Sequence, residues 1–310
     1  MERKSHPRQV VFGLLLLFCL TPWASPPVAL ALGVVLAQTA GNPFPIQTKA
    51  LTQNLLQFSV VGLGFGMHAQ AAVQAGKTGI LFTVASIFGT LGLGYFVGKW
   101  LGLGRHVVHL ISCGTAICGG SAIAAIGPVL RAKDAEMSVA LGTVFVLNAL
   151  ALFAFPPIGH ALSMTQTQFG LWCAIAIHDT SSVVGAAAVY GTQALEVATT
   201  VKLARALWII PIALGTALLF KQKGTKIKFP YFILGFILAV LLNTYLPAVR
   251  PLGPLMVNLA KVGLTVTLFF IGAGLSGAVV RSVGLKPYIL GLLLWAVVSV
   301  SSLAVILRTV

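Results

Sequence analysis

Acidic residues are nearly absent from this chain: five Asp and Glu stand against 20 Lys and Arg in 310 residues, a formal net charge of +15. Charge of either sign amounts to 8% of the residues, where a soluble domain carries about a quarter. That excludes an ordinary soluble globular protein. Cysteine is scarce as well. Cys19, Cys113, Cys118 and Cys173 all lie in apolar runs and match no disulfide or zinc spacing. Neither a disulfide scaffold nor a structural metal site is expected; these thiols read as small buried packing groups. The chain has no acidic or basic tail, no low-complexity tract and no linker. Its basic residues cluster in short loops between apolar runs, which membrane orientation requires and nucleic-acid binding does not explain.

What is present is hydrophobic: 58% of the residues, with mean hydropathy +0.99. Apolar runs fall near Val10–Leu20, Pro27–Gln38, Leu55–Val73, Thr78–Val97, Val107–Leu130, Ser138–Phe155, Phe169–Tyr190, Val197–Phe220, Tyr231–Leu246, Val257–Val280 and Pro287–Leu307. A helix needs about 20 residues to span the hydrocarbon. The pattern predicts an all-α polytopic membrane protein with about 9–11 transmembrane helices. The first run, behind a basic stretch, also has the look of a secretory signal; a retained helix is the expectation.

Internal repetition organises the rest. "ALGVVLAQTAGNPFP" (Ala31–Pro45) parallels "ILGFILAVLLNTYLP" (Ile233–Pro247). Each precedes a helix that opens with Asn-Leu, at Asn54 and Asn258, and contains Gly-x-Gly, at Gly64/Gly66 and Gly272/Gly274. A second pair is sharper. Aligning Ser121 with Ser181 also aligns Cys113 with Cys173, Ala116 with Ala176 and Ile117 with Ile177. After a short gap Thr143, Ala149 and Leu150 meet Thr200, Ala206 and Leu207, which sets Asn148 against Arg205. One transmembrane domain is expected, built of repeat-like units 27–100, 105–160, 168–220 and 230–308 in the order A, B, B, A.

Each B unit contains an apolar segment cut in its middle: "CGGS" at 118–121 and "HDTSS" at His178–Ser182. Counting Lys and Arg favours re-entrant hairpins over broken spanning helices, since "RAKDAE" then stays on the cytoplasmic side with the N-terminus. Both repeat pairs then become inverted repeats, with two interrupted or re-entrant helices. Unpaired backbone survives at membrane depth only where protein or a watery cavity satisfies it. Inverted-repeat carriers use such interruptions to aim half-helix N-termini at an anion near the midplane. Gly119, Gly120 and Ser121 offer bare N–H groups and a hydroxyl; His178, Thr180, Ser181 and Ser182 offer further donors. Tight helix packing is the competing explanation for the small residues, but it does not account for His-Asp-Thr-Ser in an apolar run.

The buried charges point the same way. Lys202 and Arg205 lie one turn apart in "VATTVKLARALWIIPIAL", and an intramembrane charge costs at least about 2.5 kcal/mol at the helix centre. Both read as substrate-binding, with Asn148 as the equivalent neutral donor and Lys261 as a secondary candidate. Asp179, the only acid inside an apolar run, reads either as the group that neutralises Arg205 or as the coupling group for a proton or sodium ion.

The stretches "ISCGTAICGGSAIAAIGPVLRAKDAEMSVALGTVFVLNALALFAFPPIGHAL", "GLWCAIAIHDTSSVVGAAAVYG" and "ATTVKLARALWIIP" resemble the YeiH family of bacterial inner-membrane proteins, usually labelled sulfate exporters. The resemblance runs over roughly Pro27 to Leu307. It implies a multi-pass plasma-membrane protein of the cation-antiporter and anion-transporter fold group, with no catalytic chemistry. The expected function is secondary transport of a small sulfate- or sulfite-like oxyanion. A proton- or sodium-coupled cation antiporter and a passive anion channel remain alternatives. The Ser181, His178 and Asp179 trio is a poor enzyme triad, because such groups work through spatial geometry and not adjacency. Expected partners are the anion, a coupling H+ or Na+ and the lipid bilayer, with a homodimer as one compatible assembly; no nucleic acid and no cofactor are expected.

Overall fold

A computed structural model of the chain describes residues 5–220, 231–274 and 284–310. The basic segments at 1–4 and 221–228 lie outside the described residues. Among those described, the secondary structure is helical. The helices are α1 (Ser5–Cys19), α2 (Pro26–Thr39), α3 (Pro45–Gly64), α4 (Ala69–Trp100), α5 (Arg105–Ala116), α6 (Gly120–Leu130), α7 (Asp134–Ala161), α8 (Gln166–Ala176), α9 (Thr180–Tyr190), α10 (Thr192–Ala206), α11 (Ile209–Leu219), α12 (Tyr231–Tyr245), α13 (Gly253–Gly274) and α14 (Leu285–Thr309). Five segments are long and apolar enough to cross a membrane: Gly79–Trp100, Ala135–Ala161, Thr192–Leu219, Arg250–Gly274 and Leu285–Thr309. Shorter apolar helices accompany them, including α2, α6, α9 and α12. The α10–α11 span bends at Leu207–Trp208, where Pro211 lacks the N–H that would bond the Leu207 carbonyl.

The chain divides into two compact units: Met1–Ala72 with Tyr231–Ala278, and Val73–Pro230 with Val279–Val310. The third helix of each A repeat therefore parts from its first two. Within the first unit the repeats exchange partners. Gly33 of α2 lies against α13, where a Cβ would stand 2.2 Å from the Phe269 carbonyl oxygen. Its counterpart Gly235 on α12 faces Val61 of α3, and Val61 is the counterpart of Phe269 in the register that pairs Gly64 with Gly272. Such close approach is the standard device for packing helices in lipid, where burial of apolar surface drives nothing. Phe12, Phe44, Phe269 and Phe270 cluster at one side of this unit.

The second unit contains both cut segments, and both are hairpins. Run straight, Phe169 and Tyr190 would stand about 30 Å apart along a helix. Instead their rings stack with centroids 3.7 Å apart, and the Tyr190 hydroxyl donates to the Met164 carbonyl at 2.7 Å. α8 thus enters and α9 returns to the same end. At the other hairpin His106 Nδ1, at the start of α5, lies 3.3 Å from Glu136 Oε2, beyond the end of α6. The rings of His106 and His109 also meet Phe220, the residue after α11. The path follows: the α5–α6 hairpin enters from one end, α7 crosses, the α8–α9 hairpin enters from the opposite end, and α10–α11 crosses back. The first end carries exposed Lys99, Arg105, Arg131 and Lys133, while the turns at 162–165 and 191–193 carry no Lys or Arg. Two inverted B units result, as the charge count anticipates.

Candidate functional site at the hairpin tips

The two tips touch. Gly119, the residue before α6, has φ +63, and a Cβ there would stand 3.2 Å from Asp179 Cβ and 3.3 Å from the Asp179 backbone nitrogen. Gly119 and Asp179 are equivalent residues of the two repeats, and each is the N-cap of its returning helix. Two helix N-termini therefore converge on one point.

They are finished differently. Asp179 caps α9 with its own carboxylate, which accepts from the Ser182 N–H at 3.1 Å and from the Ser181 hydroxyl at 2.5 Å. This is the favoured N-cap chemistry, an acidic oxygen on the first free N–H groups. At the opposing tip Gly119 supplies no capping side chain; the Cys118 thiol lies against the Ala122 N–H, which leaves the start of α6 at Gly120 and Ser121 without a side-chain cap. Thr180, Ser181 and Ser182 are buried, whereas Ser121 is exposed and Gly120 partly so. The exposed face continues along α6 through Ala124 and Pro128 toward the basic end.

Asn148 and Arg205, aligned by the repeat, make aligned contacts across the pair. Asn148 on α7 accepts the His178 backbone N–H at 3.0 Å, which belongs to the α8–α9 break. Arg205 on α10 donates from Nη2 to the Ala116 carbonyl, the last residue of α5, and from Nη1 to Ser86 Oγ on α4 at 2.7 Å. Each crossing helix thus satisfies a backbone group in the other unit's broken hairpin. Lys202 serves its own unit: Nζ lies 2.7 Å from the Ile177 carbonyl and 3.3 Å from that of Ala174. Both cations are fully buried, at 0% exposure, and both sit at helix C-termini, where carbonyl dipoles favour positive charge.

The electrostatics of the tips can be totalled. Each helix end contributes about half a unit charge, positive at the two N-termini and negative at the two C-termini. Those four terms cancel, and with both side chains protonated Lys202 and Arg205 outweigh Asp179 by one unit. The tips carry a surplus of about one positive charge.

All the residues singled out in the B repeats lie at or beside the tips, but not in equal roles. Lys202 and Arg205 reach backbone carbonyls, Asp179 and Ser181 bond each other, and Ser121 with Gly120 forms the accessible part. The ring nitrogens of His178, Asn148 Nδ2 and Arg205 Nε are buried without a hydrogen-bond partner. Lys261 lies in the first unit, exposed on α13. Ser86 went unread in the sequence, since a lone serine on an apolar helix gives no signal of the guanidinium it receives. Among the described residues there is no group of His, Cys, Asp and Glu fit to hold a metal ion.

A family model described as "Conserved hypothetical protein 698" matches residues 15–291. The chain belongs to this family. It is 62% identical over 92% of its length to a UPF0324 membrane protein of Bacteroides thetaiotaomicron, covering 87% of that protein. A Porphyromonas gingivalis UPF0324 membrane protein is 52% identical, over 99% of this chain and 97% of its own. One from Bdellovibrio bacteriovorus is 50% identical, with 98% and 95% covered. The YeiH-type resemblance is thereby established, and with it a multi-pass membrane protein. No solved structure matches.

Proposed function

We propose that the protein is a secondary transporter of a small oxyanion of the sulfate or sulfite type, held where the two hairpin tips meet. The observation that carries the reading is the unequal finish of the converging N-termini. One is closed by Asp179, while the other is left open at Gly119–Gly120–Ser121 beside a surplus of positive charge. Bare N–H groups at a helix start form an anion cradle, and Ser121 adds a hydroxyl donor. Lys202 and Arg205 act through the local potential, while Thr180, Ser182, His178 and Asn148 line and hold the tips. Paired re-entrant segments within inverted repeats are the architecture on which alternating access operates.

The cation-antiporter alternative is disfavoured by the same contacts. The one buried carboxylate of the tips is engaged as a helix cap, and the carbonyl ends already hold cations. An enzymatic role is disfavoured too, since the Ser181 hydroxyl donates to Asp179 and no bond joins it to His178. By the Lys/Arg count the basic end of the second unit is cytoplasmic, in the bacterial plasma membrane, and the N-terminus with it.

Purified protein in liposomes, offered isotope-labelled sulfate, sulfite, sulfonates and small carboxylates under imposed proton and sodium gradients, tests the proposal. A sulfur oxyanion is expected to accumulate. If no member of that panel moves or binds, the reading is wrong. An uncoupled, voltage-driven current would replace the carrier with a channel.

A further inference from the structure

We propose that Lys202 fills a monovalent-cation position at the end of α8, its ammonium standing where an ion-coupled carrier would bind Na+. The position is made by the break itself. In an unbroken helix the Ala174 carbonyl would accept the His178 N–H, but that N–H is turned to Asn148 Oδ1. α8 ends at Ala176, and Ile177 is extended, at φ −89 and ψ 130. Two carbonyl oxygens are thus released at membrane depth. Unwound carbonyls at a half-helix C-terminus are the ligands that coordinate a coupling Na+ in broken-helix transporters. Here they meet Nζ of Lys202 at 2.7 and 3.3 Å.

The side chain is not reaching for the interface. Lys202 lies inside the span Thr192–Leu219, and a snorkelling lysine would carry its head toward water. Instead the head turns inward, fully buried. Neither it nor Arg205 forms an ion pair with a described carboxylate. Its ligands are the carbonyls, as a metal ion's would be. The other repeat follows the same scheme, with the Arg205 guanidinium on the Ala116 carbonyl at the end of α5. A charge tethered to the backbone cannot be exchanged, so a sodium gradient does no work at this position. The consequence for transport, sodium-independent uptake, rests on the function proposed above; the cation position itself does not.

The test therefore reads binding without any anion. Thermal unfolding of purified wild type, Lys202→Ala and Lys202→Met is compared in choline, sodium, lithium and methylammonium chloride at equal ionic strength. The wild-type midpoint should not respond to the exchange. Lys202→Ala should unfold at lower temperature in choline and recover by about 5 °C in a small cation that fits the emptied place. Lys202→Met should be lowered without recovery, because its side chain still fills the space. Lys202→Ser, whose hydroxyl adds an oxygen ligand, carries the same readout should the alanine variant not fold. The proposal is overturned if the wild type itself is stabilised by sodium, or if neither small variant responds to any small cation. Failure of every oxyanion to move, with the Lys202→Ala recovery intact, would remove the transport reading and leave the cation position standing.

Discussion

Replacing Gly119 with alanine asks whether the contact between the hairpin tips holds this part of the molecule together. At φ +63 and ψ −124 the backbone lies outside the left-handed helical well, in a region open essentially to glycine, where an alanine costs at least about 1 kcal/mol. Its Cβ would also press on Asp179 Cβ and on Val144 Cγ1, each at 3.2 Å. Asp179 cannot easily withdraw, because its carboxylate is held by Ser181 and Ser182. Overpacking of this kind costs about 2 kcal/mol, which brings the total to about 3 kcal/mol and a drop in melting temperature of about 6 °C. Gly120→Ala is the matched control. There a Cβ would meet the outer edge of the Phe145 ring at 3.1 Å, a group able to swing aside, so about 1 °C is expected. The assay is thermal unfolding in detergent followed by initial-rate uptake in liposomes, where Gly119→Ala should lose at least about tenfold. Equal midpoints for the two variants would refute the claim that the tips are pressed together at Gly119.

Arg205→Lys should remain folded but lose about tenfold or more in uptake, since an ammonium lacks the planar fork that spans Ser86 and Ala116; uptake at the wild-type rate would contradict that bridging role. Asp179→Asn keeps a competent cap while deleting the negative charge at the tips. It should leave the melting temperature within about 2 °C and lower the apparent KM for the anion, whereas unfolding would show that the carboxylate charge is structural. Single cysteines at Ala132 and Ser163 should react with an impermeant maleimide from opposite faces of the membrane. The native cysteines are all buried and give little background; labelling of both from one face would rule out the hairpin path.

Much of this was legible in the chain, for identifiable reasons. The cuts at "CGGS" and "HDTSS" broke an otherwise apolar pattern, and the Lys/Arg imbalance between loops selected hairpins over spans. The repeat alignment placed Asn148 opposite Arg205 before either contact was visible. The targets of the long side chains were not legible. Lys202 and Arg205 read as charges facing a substrate, yet each turns to a carbonyl. Which way such a side chain points depends on how α10 crosses α8 and α4, and no local pattern encodes a crossing. The difference between Ser121 and Ser181 was hidden likewise. The alignment makes them equals, and only the cap formed by Asp179 turns one inward and leaves the other accessible.

The contact between Arg205 and Ala116 also joins residues 89 positions apart in the chain. At a synthesis rate of about 5–20 residues per second, the first hairpin enters the bilayer roughly 10 s before its guanidinium partner is made. Over that interval the Ala116 carbonyl has no permanent donor, in a medium where each unsatisfied backbone group costs several kcal/mol. Asn148 runs on the opposite schedule, being synthesised 30 residues ahead of the His178 N–H that it receives. During biogenesis the first hairpin is thus the dependent one and the second is met by a partner already in place. A chain stopped before α10 exposes that dependence to the quality-control proteases of the membrane.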